Sequence, residues 1–433
     1  MPTPDTRHPA SRPTPDTPHP TPRTSVCIIV ENIPVPMDRR VWQEARALRD
    51  AGFRVSVICP KGHGFEQKRE TLEGIEIYRH PIWEASGPFG YLVEYGWALA
   101  AEFILALRIY ARTRFRILHA CNPPDTIFLV GVFFKLFGVR FIFDHHDLNP
   151  ELFEAKFGKR GFFYRLVCWA ERLTFRTATV SIATNESYRE IALTRGGMRP
   201  ERVFVVRSSP DLERTRRVQP QPALKEGKPF LVAYLGVMGP QDGLGLLLES
   251  IEFIVKQKDR RDTLFVLIGA GTELPRLKSM ATEKGLADWV KFTGRIPDDE
   301  LAAYLSTADV GVAPDPSTPM NDKSTMNKIL EYMAFGCPVV LYELVEGRRS
   351  AADAALYARP NDPIDFAGQI VKLLDSEPLR RQLGEIGRKR MEDELSWENE
   401  KRVLLAAYEA AISNPKSGRP DRLALRPRRA GSQ

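Results

Sequence analysis

Cysteine is scarce in this chain of 433 residues, and no run of 18 uncharged apolar residues occurs. An odd number of cysteines without C-x-x-C spacing argues against a disulfide framework and a zinc site, and it fits a reducing cytoplasm. The five are scattered along the chain: Cys27, Cys59, Cys121, Cys168 and Cys337. The stretch that comes nearest to a membrane span, 90–110, contains Glu94 and Glu102, so no span is predicted.

The net charge of +7 lies mainly in the two ends of the chain. Residues 1–23 carry a charge of +1 and residues 414–433 a charge of +5, which leaves the rest close to neutral. A nearly neutral middle argues against a nucleic-acid partner. Because 1–23 is Pro-rich, repeats P-T-P-D-T and lacks an apolar stretch, we expect a disordered tail and no secretory signal. A second, basic disordered tail is expected over 413–433.

Between the tails, short apolar runs alternate with segments of helical periodicity, such as 39–51. The strands predicted in the first half are 25–30, 55–59, 117–120, 141–143, 180–183 and 203–206. Those predicted in the second half are 230–235, 264–268, 290–292, 310–313 and 338–341. This pattern is typical of doubly wound α/β domains with parallel sheets.

A stretch rich in Pro, Gly and charge, 208–228, interrupts the pattern and is interpreted as a linker. It separates two α/β domains, 24–207 and 229–395, and a last helix is expected over 396–412. Open parallel sheets bind ligands beyond the carboxyl ends of their strands. The predicted site is therefore the cleft where the two domains face each other.

The most informative segment is D-K-S-T-M-N-K-I-L-E-Y-M-A-F-G-C-P-V-V, residues 322–340. Ser324 and Thr325 are candidate N-caps of the following helix, whose N-terminus suits a diphosphate. Lys328 and Glu331 share one face of it, and a carboxylate there can accept hydrogen bonds from a ribose diol. The alternative is an ordinary amphipathic helix with a surface Lys–Glu pair.

Polar residues follow two predicted strands of the first domain. Asn122 and Asp125 in H-A-C-N-P-P-D are expected to point at the cleft, and F-D-H-H-D-L places His146 and Asp147 after the next strand. A metal site is the rival interpretation of this cluster. Since adjacent side chains on extended backbone point in opposite directions, the two histidines fit one ion poorly, and hydrogen-bonding roles are favoured.

K-I-L-E-Y-M-A-F-G-C-P-V-V resembles the signature of retaining glycosyltransferases of the GT-B fold, family four, also called glycosyl transferases group one. L-F-V-L-I-G-A-G-T-E, V-K-F-T-G-R-I-P and A-D-V-G-V-A-P precede it in the order found in that family. The resemblance covers nearly all of 24–412. It implies two Rossmann-like domains facing a cleft, with a nucleotide-sugar bound mainly to the second, and a last helix that crosses back to the first domain.

The resemblance also implies roles for particular residues. Glu331 would bind the ribose hydroxyls, and His146 would sit near the transferred sugar as the catalytic residue. Main-chain groups of Arg295 and Ile296 would flank the nucleobase. The loop beside the nucleotide would be formed by Gly269, Gly271 and Thr272. Asn122, Asp125 and Asp147 are expected on the acceptor side.

This chain departs from the family at the phosphate and sugar contacts. Lys323 stands where the family has its first motif glutamate, which helps to hold the donor sugar. Val237 and Asp242 stand near the places of the Arg and Lys that neutralise the pyrophosphate. The diphosphate charge must then be met elsewhere, and the candidates besides the helix N-terminus are Lys328, Lys323, Arg39 and Arg40.

Basic and aromatic residues alternate at helical spacing over 156–176. Such a segment could lie on a membrane that carries a lipid-linked acceptor. The alternative, a core helix with snorkelling Arg and Lys, is favoured.

The resemblance implies a retaining, metal-independent glycosyltransferase that acts on a glycan or polyprenyl-linked acceptor in polysaccharide or glycolipid biosynthesis. We expect no cofactor, because the nucleotide-sugar is a substrate, and a cytoplasmic enzyme at the inner face of the plasma membrane. Alternatives are a nucleotide-sugar epimerase and a catalytically weakened nucleotide-sugar-binding or scaffold subunit. A dinucleotide oxidoreductase is disfavoured, because no G-x-G-x-x-G follows the first strand.

Overall fold

The protein is described by a computed structural model. It describes residues 24–62, 64–81, 88–158, 160–213 and 215–413, without the side chains of 88–95 and 156. The two predicted tails lie outside these residues, apart from residue 413. None of the described helices combines the length and the apolar character needed to cross a membrane.

The first sheet has eight strands in the order β3-β4-β2-β1-β5-β6-β7-β8. Their bounds are β1 Ser25–Ile29, β2 Arg54–Pro60, β3 Arg69–Leu72, β4 Ile75–His80, β5 Ile117–Cys121, β6 Arg140–His145, β7 Val180–Ala183 and β8 Val203–Val205. All neighbours are parallel except β3 and β4. The helices of this part are α1 Arg39–Asp50, α2 Pro88–Thr113, α3 Phe128–Lys135, α4 Asn149–Phe157, α5 Phe162–Thr177 and α6 Glu186–Thr194.

The second sheet has six parallel strands in the order β11-β10-β9-β12-β13-β14. Its strands are β9 Phe230–Leu235, β10 Thr263–Ile268, β11 Val290–Gly294, β12 Val310–Ala313, β13 Val339–Tyr342 and β14 Ala355–Ala358. The helices that follow are α7 Leu244–Glu252, α8 Leu274–Glu283, α9 Asp298–Thr307, α10 Asn327–Ala334, α11 Val345–Ala351, α12 Pro363–Leu374, α13 Glu377–Arg390 and α14 Trp397–Ile412. The predicted fold class, two Rossmann-like α/β domains, is confirmed.

The last helix, α14, returns to the first domain, as the resemblance implies. Its apolar face, with Trp397, Leu404 and Tyr408, is buried in the same cluster as Val26 and Ile28 of β1. It therefore completes the core of the first domain although it follows the second in sequence.

The favoured interpretation of 156–176 as a core helix holds for only one side of α5, which includes the buried Phe175. Helix α5 leaves several large apolar side chains in solvent, with Phe162 75%, Phe163 56% and Trp169 56% exposed. Helix α3 and the residues just after it add Leu136 and Phe137, which are 79% and 55% exposed. Helix α3 packs against α5, and the rings of Phe128 and Trp169 touch edge to face. We call the exposed apolar side chains of these two neighbouring elements the α3/α5 face.

Candidate active site

Residues that follow the carboxyl ends of strands in both sheets meet between the domains. Arg39, at the start of α1, pairs across this junction with Asp298, at the start of α9, at 2.5 Å. Lys323 follows β12 and lies 3.1 Å from Glu151 of α4. The structure thus brings the predicted first-domain and second-domain residues to one place, as expected for facing parallel sheets.

A buried polar cluster surrounds Asp144 at the end of β6. Arg40 Nη2 lies 2.9 Å from Asp144 Oδ1 and 3.1 Å from Glu44 Oε1. Burial alone would raise the pKa of Asp144, but Arg40 and His146 bring it well below its ordinary value. Burial, and then Asp144, raises the pKa of Glu44. Arg40 is therefore committed to a buried carboxylate instead of being free for a phosphate.

His146 is the member of this cluster that reaches the surface, with 13% of its side chain exposed. Its Nε2 lies 2.7 Å from Asp144 Oδ2 and 2.9 Å from Arg40 Nε. Asp144 thereby fixes the ring orientation, as a carboxylate partner does for a catalytic histidine. The neighbouring His145 turns the other way, into rings of Phe175 and Tyr188, which matches the expected alternation.

Asn122 and Asp125 have a different role from the acceptor contact predicted for them. Asn122 Oδ1 accepts hydrogen bonds from the main-chain N–H groups of His146 and Asp147 at 2.6 and 3.1 Å. Its Nδ2 donates to Asp125 Oδ1 and to the carbonyl of Asp147. Asn122 is 1% and Asp125 5% exposed, so both residues support the His146 loop from its buried side. Asp147 is half-buried at the surface of that loop.

A metal site at this cluster fits the residues poorly. His119, Cys121 and Asp144 offer ligand atoms within 4.8 Å of one another. Burial, and then Asp144, raises the pKa of the Cys121 thiol well above its ordinary value, so the thiolate that metals prefer is disfavoured. The guanidinium of Arg40 already occupies Asp144, and a second cation beside it would be repelled.

The donor helix α10 begins at Asn327, and the prediction that Ser324 or Thr325 caps it is wrong. The N-cap position is Met326, without a side-chain cap. Ser324 Oγ instead donates to the carbonyl of Met320, and Thr325 Oγ1 accepts from Asn185 of the first domain. Both hydroxyls are therefore hydrogen-bonded elsewhere and do not cap α10. The N–H groups at the N-terminus of α10 are left without a side-chain cap, and such groups can bind an anion.

Glu331 is half-buried on α10, and its carboxylate has no hydrogen-bond partner within the part of the chain that the structure describes. Burial raises the pKa of Glu331, while the nearby Arg39 lowers it and Asp298 raises it again. An unpartnered carboxylate in this position can accept hydrogen bonds from a pair of ribose hydroxyls. Arg39 is thus a neighbour of the predicted ribose site.

Lys328 lies below this surface and is already neutralised. Its Nζ is 2.7 Å from Asp315 Oδ1 and 3.9 Å from Asp242 Oδ1, and it sits 5.0 Å from the ring centre of Tyr234. Burial raises the pKa of Asp242, whose other oxygen accepts from the Gly239 N–H. Lys328 therefore supplies little free charge to a diphosphate, contrary to our expectation.

The second-domain loops approach one another backbone to backbone. A Cβ on Gly269, which has φ +133°, would fall 1.8 Å from the carbonyl oxygen of Gly236. A Cβ on Gly271 would fall 2.4 Å from the carbonyl oxygen of Met238. Only glycine permits these approaches. Of the remaining predicted residues, Thr272 and Arg295 are exposed and Ile296 packs against the core.

Several site residues were missed, most of them because their partners are distant along the chain, as for Tyr408 Oη, which lies 2.7 Å from His119 Nδ1 across 289 residues. Glu44 is an exception, because it pairs with Arg40 four residues earlier. The missed residues are Glu44, His119, Glu151, Asn185, Asp298, Asp315 and Tyr408.

Several solved glycosyltransferases share this architecture. Sucrose-phosphate synthase from Thermosynechococcus elongatus superposes with a TM-score of 0.72 at 20% identity and covers 89% of this chain and 98% of its own. Anabaena HepE, solved in complex with UDP-glucose, gives a TM-score of 0.69 at 16% identity over 90% of this chain and 100% of its own. The fold is the two-domain GT-B architecture of glycosyltransferases.

Two family profiles match in tandem. "Glycosyl transferase 4-like domain" covers residues 37–208 and "Glycosyl transferases group 1" covers residues 215–390. The chain belongs to the group 1 glycosyl transferases.

Curated relatives agree with this assignment. D-inositol 3-phosphate glycosyltransferase of Geodermatophilus obscurus is 29% identical over 57% of this chain and 54% of its own. 2-deoxystreptamine glucosyltransferase of Streptomyces kanamyceticus is 25% identical over 87% of this chain and 99% of its own. This chain spans about half the length of the first of these relatives and nearly all of the second.

Proposed function

We propose that the protein transfers a sugar, with retention and without a metal, from a nucleotide-sugar donor to a glycan or lipid-linked acceptor. The unpartnered carboxylate of Glu331 carries this proposal, because it lies one helix turn from the free N–H groups of α10. A ribose and a diphosphate fit that pair. The UDP and UDP-glucose complexes of Anabaena HepE support a donor of this kind.

His146 would stabilise the transferred sugar or the departing phosphate, since Asp144 holds its ring at the surface of the cleft. Retaining transfer passes through an oxocarbenium-like state as the diphosphate leaves, and a hydrogen bond from His146 would stabilise the negative charge that grows on the departing phosphate. In this proposal no metal takes part: the α10 N-terminus supplies the charge that a metal would otherwise provide.

The α3/α5 face supports a lipid-linked acceptor at an anionic membrane. Its apolar side chains stand beside exposed cations of α5, Arg165, Arg172 and Arg176, which suits the headgroup region of a bilayer. Helix α4 joins this face to the His146 loop, so an acceptor held there would be near the site. We place the enzyme at the inner face of the plasma membrane, in polysaccharide or glycolipid assembly; its five free cysteines suit the cytoplasm.

One observation favours a second candidate, a weakened nucleotide-sugar-binding subunit. The four cations considered for the diphosphate, Arg39, Arg40, Lys323 and Lys328, are all paired with carboxylates. Binding a diphosphate would have to break such a pair or rely on α10 alone.

A thermal-shift panel of nucleoside diphosphates and their sugar conjugates tests the proposal. We expect one base to raise the melting temperature, and Glu331→Ala to abolish that rise without changing the ligand-free melting temperature. Glu385→Ala, an exposed change on α13, is the matched control and should keep the rise. A shift that survives Glu331→Ala would contradict the ribose assignment. Binding without transfer to any acceptor would favour the weakened subunit.

A further inference from the structure

Lys323 occupies the position of the family's sugar-binding glutamate, yet its side chain pairs with a carboxylate of the first domain. The ammonium lies 3.1 Å from Oε1 of Glu151 in the other domain, 172 residues away in sequence. Glu151 is 8% exposed and is held from its other side by a forked pair of hydrogen bonds from Arg195, both 3.0 Å. Lys323 therefore docks on a carboxylate that is already fixed.

The first domain also forms hydrogen bonds with the turn that contains Lys323. Asn185 is fully buried; its Oδ1 caps its own helix, α6, at Tyr188 N. Its Nδ2 donates across the junction to the Lys323 carbonyl at 2.8 Å and to Thr325 Oγ1 at 3.0 Å. One amide side chain thus ties the start of α6 to the turn that precedes α10.

A second contact of this kind lies alongside. Ser187, two residues after Asn185, donates to Glu346 Oε1 of α11 from its N–H at 3.0 Å and from its Oγ at 2.6 Å. Arg349 pairs with the same oxygen at 2.5 Å. The starts of α4 and α6, with Glu151, Asn185 and Ser187, therefore form a polar surface that the second domain contacts, and we call this surface the polar seat.

We infer that Lys323 is a positioning residue that fastens the turn before α10 to the first domain and so sets the distance between His146 and the donor helix. Glu151 lies five residues after His146, and Lys323 lies four residues before α10. Joining them by an ion pair fixes the two halves of the site relative to each other. The effect on turnover rests on the proposed function, whereas the fastening of the domains does not.

Lys323→Met tests this, with two readouts. In the donor-free protein, hydrogen exchange should rise in 321–326 and, across the junction, in 149–153, because these two segments lose the ion pair between Lys323 and Glu151. In the enzyme, kcat should fall by about tenfold to a hundredfold while the donor KM stays unchanged, because misplacement costs transition-state contacts rather than ground-state binding. Lys323→Arg should restore both readouts.

A double variant isolates the pair. In a Glu151→Gln background, which keeps the shape and one hydrogen-bond acceptor beside Arg195, Lys323→Met should add no further change. Lys291→Met is the matched control: Lys291 is 38% exposed, against 39% for Lys323, and pairs with Glu226, outside the first domain. It should leave exchange in 149–153 unaltered.

Two results would overturn the inference. Unchanged exchange in 149–153 would show that Lys323 does not fasten the domains. A raised donor KM with normal kcat would make Lys323 a donor ligand. If no sugar transfer is detected at all, the exchange readout still decides the fastening, so the failure of the proposed function is distinguishable.

Discussion

At the scale of single residues, burial decides which groups around the site are charged. Two carboxylates, Glu44 and Asp144, face one guanidinium, that of Arg40, in a space closed to solvent. Their pKa values move apart, with Asp144 lowered and Glu44 raised. Asp144 thus favours its ionised form beside Arg40 and His146, and Glu44 favours its protonated form.

Replacing His146 with Ala should reduce turnover far more than donor binding. The ring is the part of the Asp144 cluster that reaches solvent, so it can act on a bound sugar while the ribose stays on Glu331. We expect turnover to fall by about a hundredfold, with the donor-induced thermal shift preserved. Single-turnover rates and melting curves measure the two effects. Normal turnover in His146→Ala would remove this residue from the site.

At the scale of elements, the helical spacing of aromatic and basic residues in α5 places one side of the helix in the core and the other side in solvent. One side of the helix, including Phe175 and Thr174, is buried against the sheet. The other side presents Phe162 and Trp169 to solvent beside arginines. Helical spacing of aromatic and basic residues is compatible with a core or with a membrane surface, and only the packing of α3 and α4 around α5 separates them.

The double change Phe162→Ser and Phe163→Ser should weaken binding to vesicles of phosphatidylglycerol and phosphatidylcholine. Each buried aromatic contributes about 1.5–3 kcal/mol on leaving water, so co-sedimentation should drop strongly. Ile364→Ser, on α12 of the second domain and 58% exposed in the native protein, is the control and should bind as the native protein does. Equal sedimentation of all three proteins would show that the α3/α5 face does not contact membranes.

At the scale of the whole molecule, two domains share both a site and a core. Helix α14 closes the core of the first domain, and the polar seat on α4 and α6 receives the turn before α10. Groups buried directly behind the site, such as His145 and Asp125, have shifted pKa values in the folded protein, so its stability depends on pH.

Acid should destabilise the protein through His145, whose pKa is lowered by burial to about 3. The unfolded chain binds this proton near pH 6.5 and the folded protein does not, so stability is present above about pH 6.5 and is lost as the pH falls. Between pH 7 and pH 5 the loss amounts to about 2 kcal/mol.

His145→Phe should remove that part of the pH dependence, since the ring lies among Phe143, Phe175 and Tyr188. Urea unfolding at pH 7 and pH 5 measures the difference. Asp125 works in the opposite direction, because burial raises its pKa to about 7, so the variant is compared with the native protein at both pH values. Parallel losses in the two proteins would rule out His145 as the cause.

The sequence by itself determined the architecture. Apolar runs of strand length, interrupted by helical periodicity, are sufficient for two parallel α/β domains, because burial on both faces leaves a strong local pattern. Strands β3, β4 and β14 were not predicted. β3 and β4 carry charged residues, and β3 and β14 lie at sheet edges. The motif around Glu331 was also visible, since its residues lie within one helix.

Only the tertiary structure decided which charges are free. Arg40 meets Asp144 across 104 residues and Lys323 meets Glu151 across 172, and no local pattern encodes such distances. The predicted cap at Ser324 or Thr325 was wrong for the same reason, because the first domain and Met320 take those hydroxyls. Helix formation depends on neighbours along the chain, whereas the charge and reach of a side chain depend on what the fold places beside it.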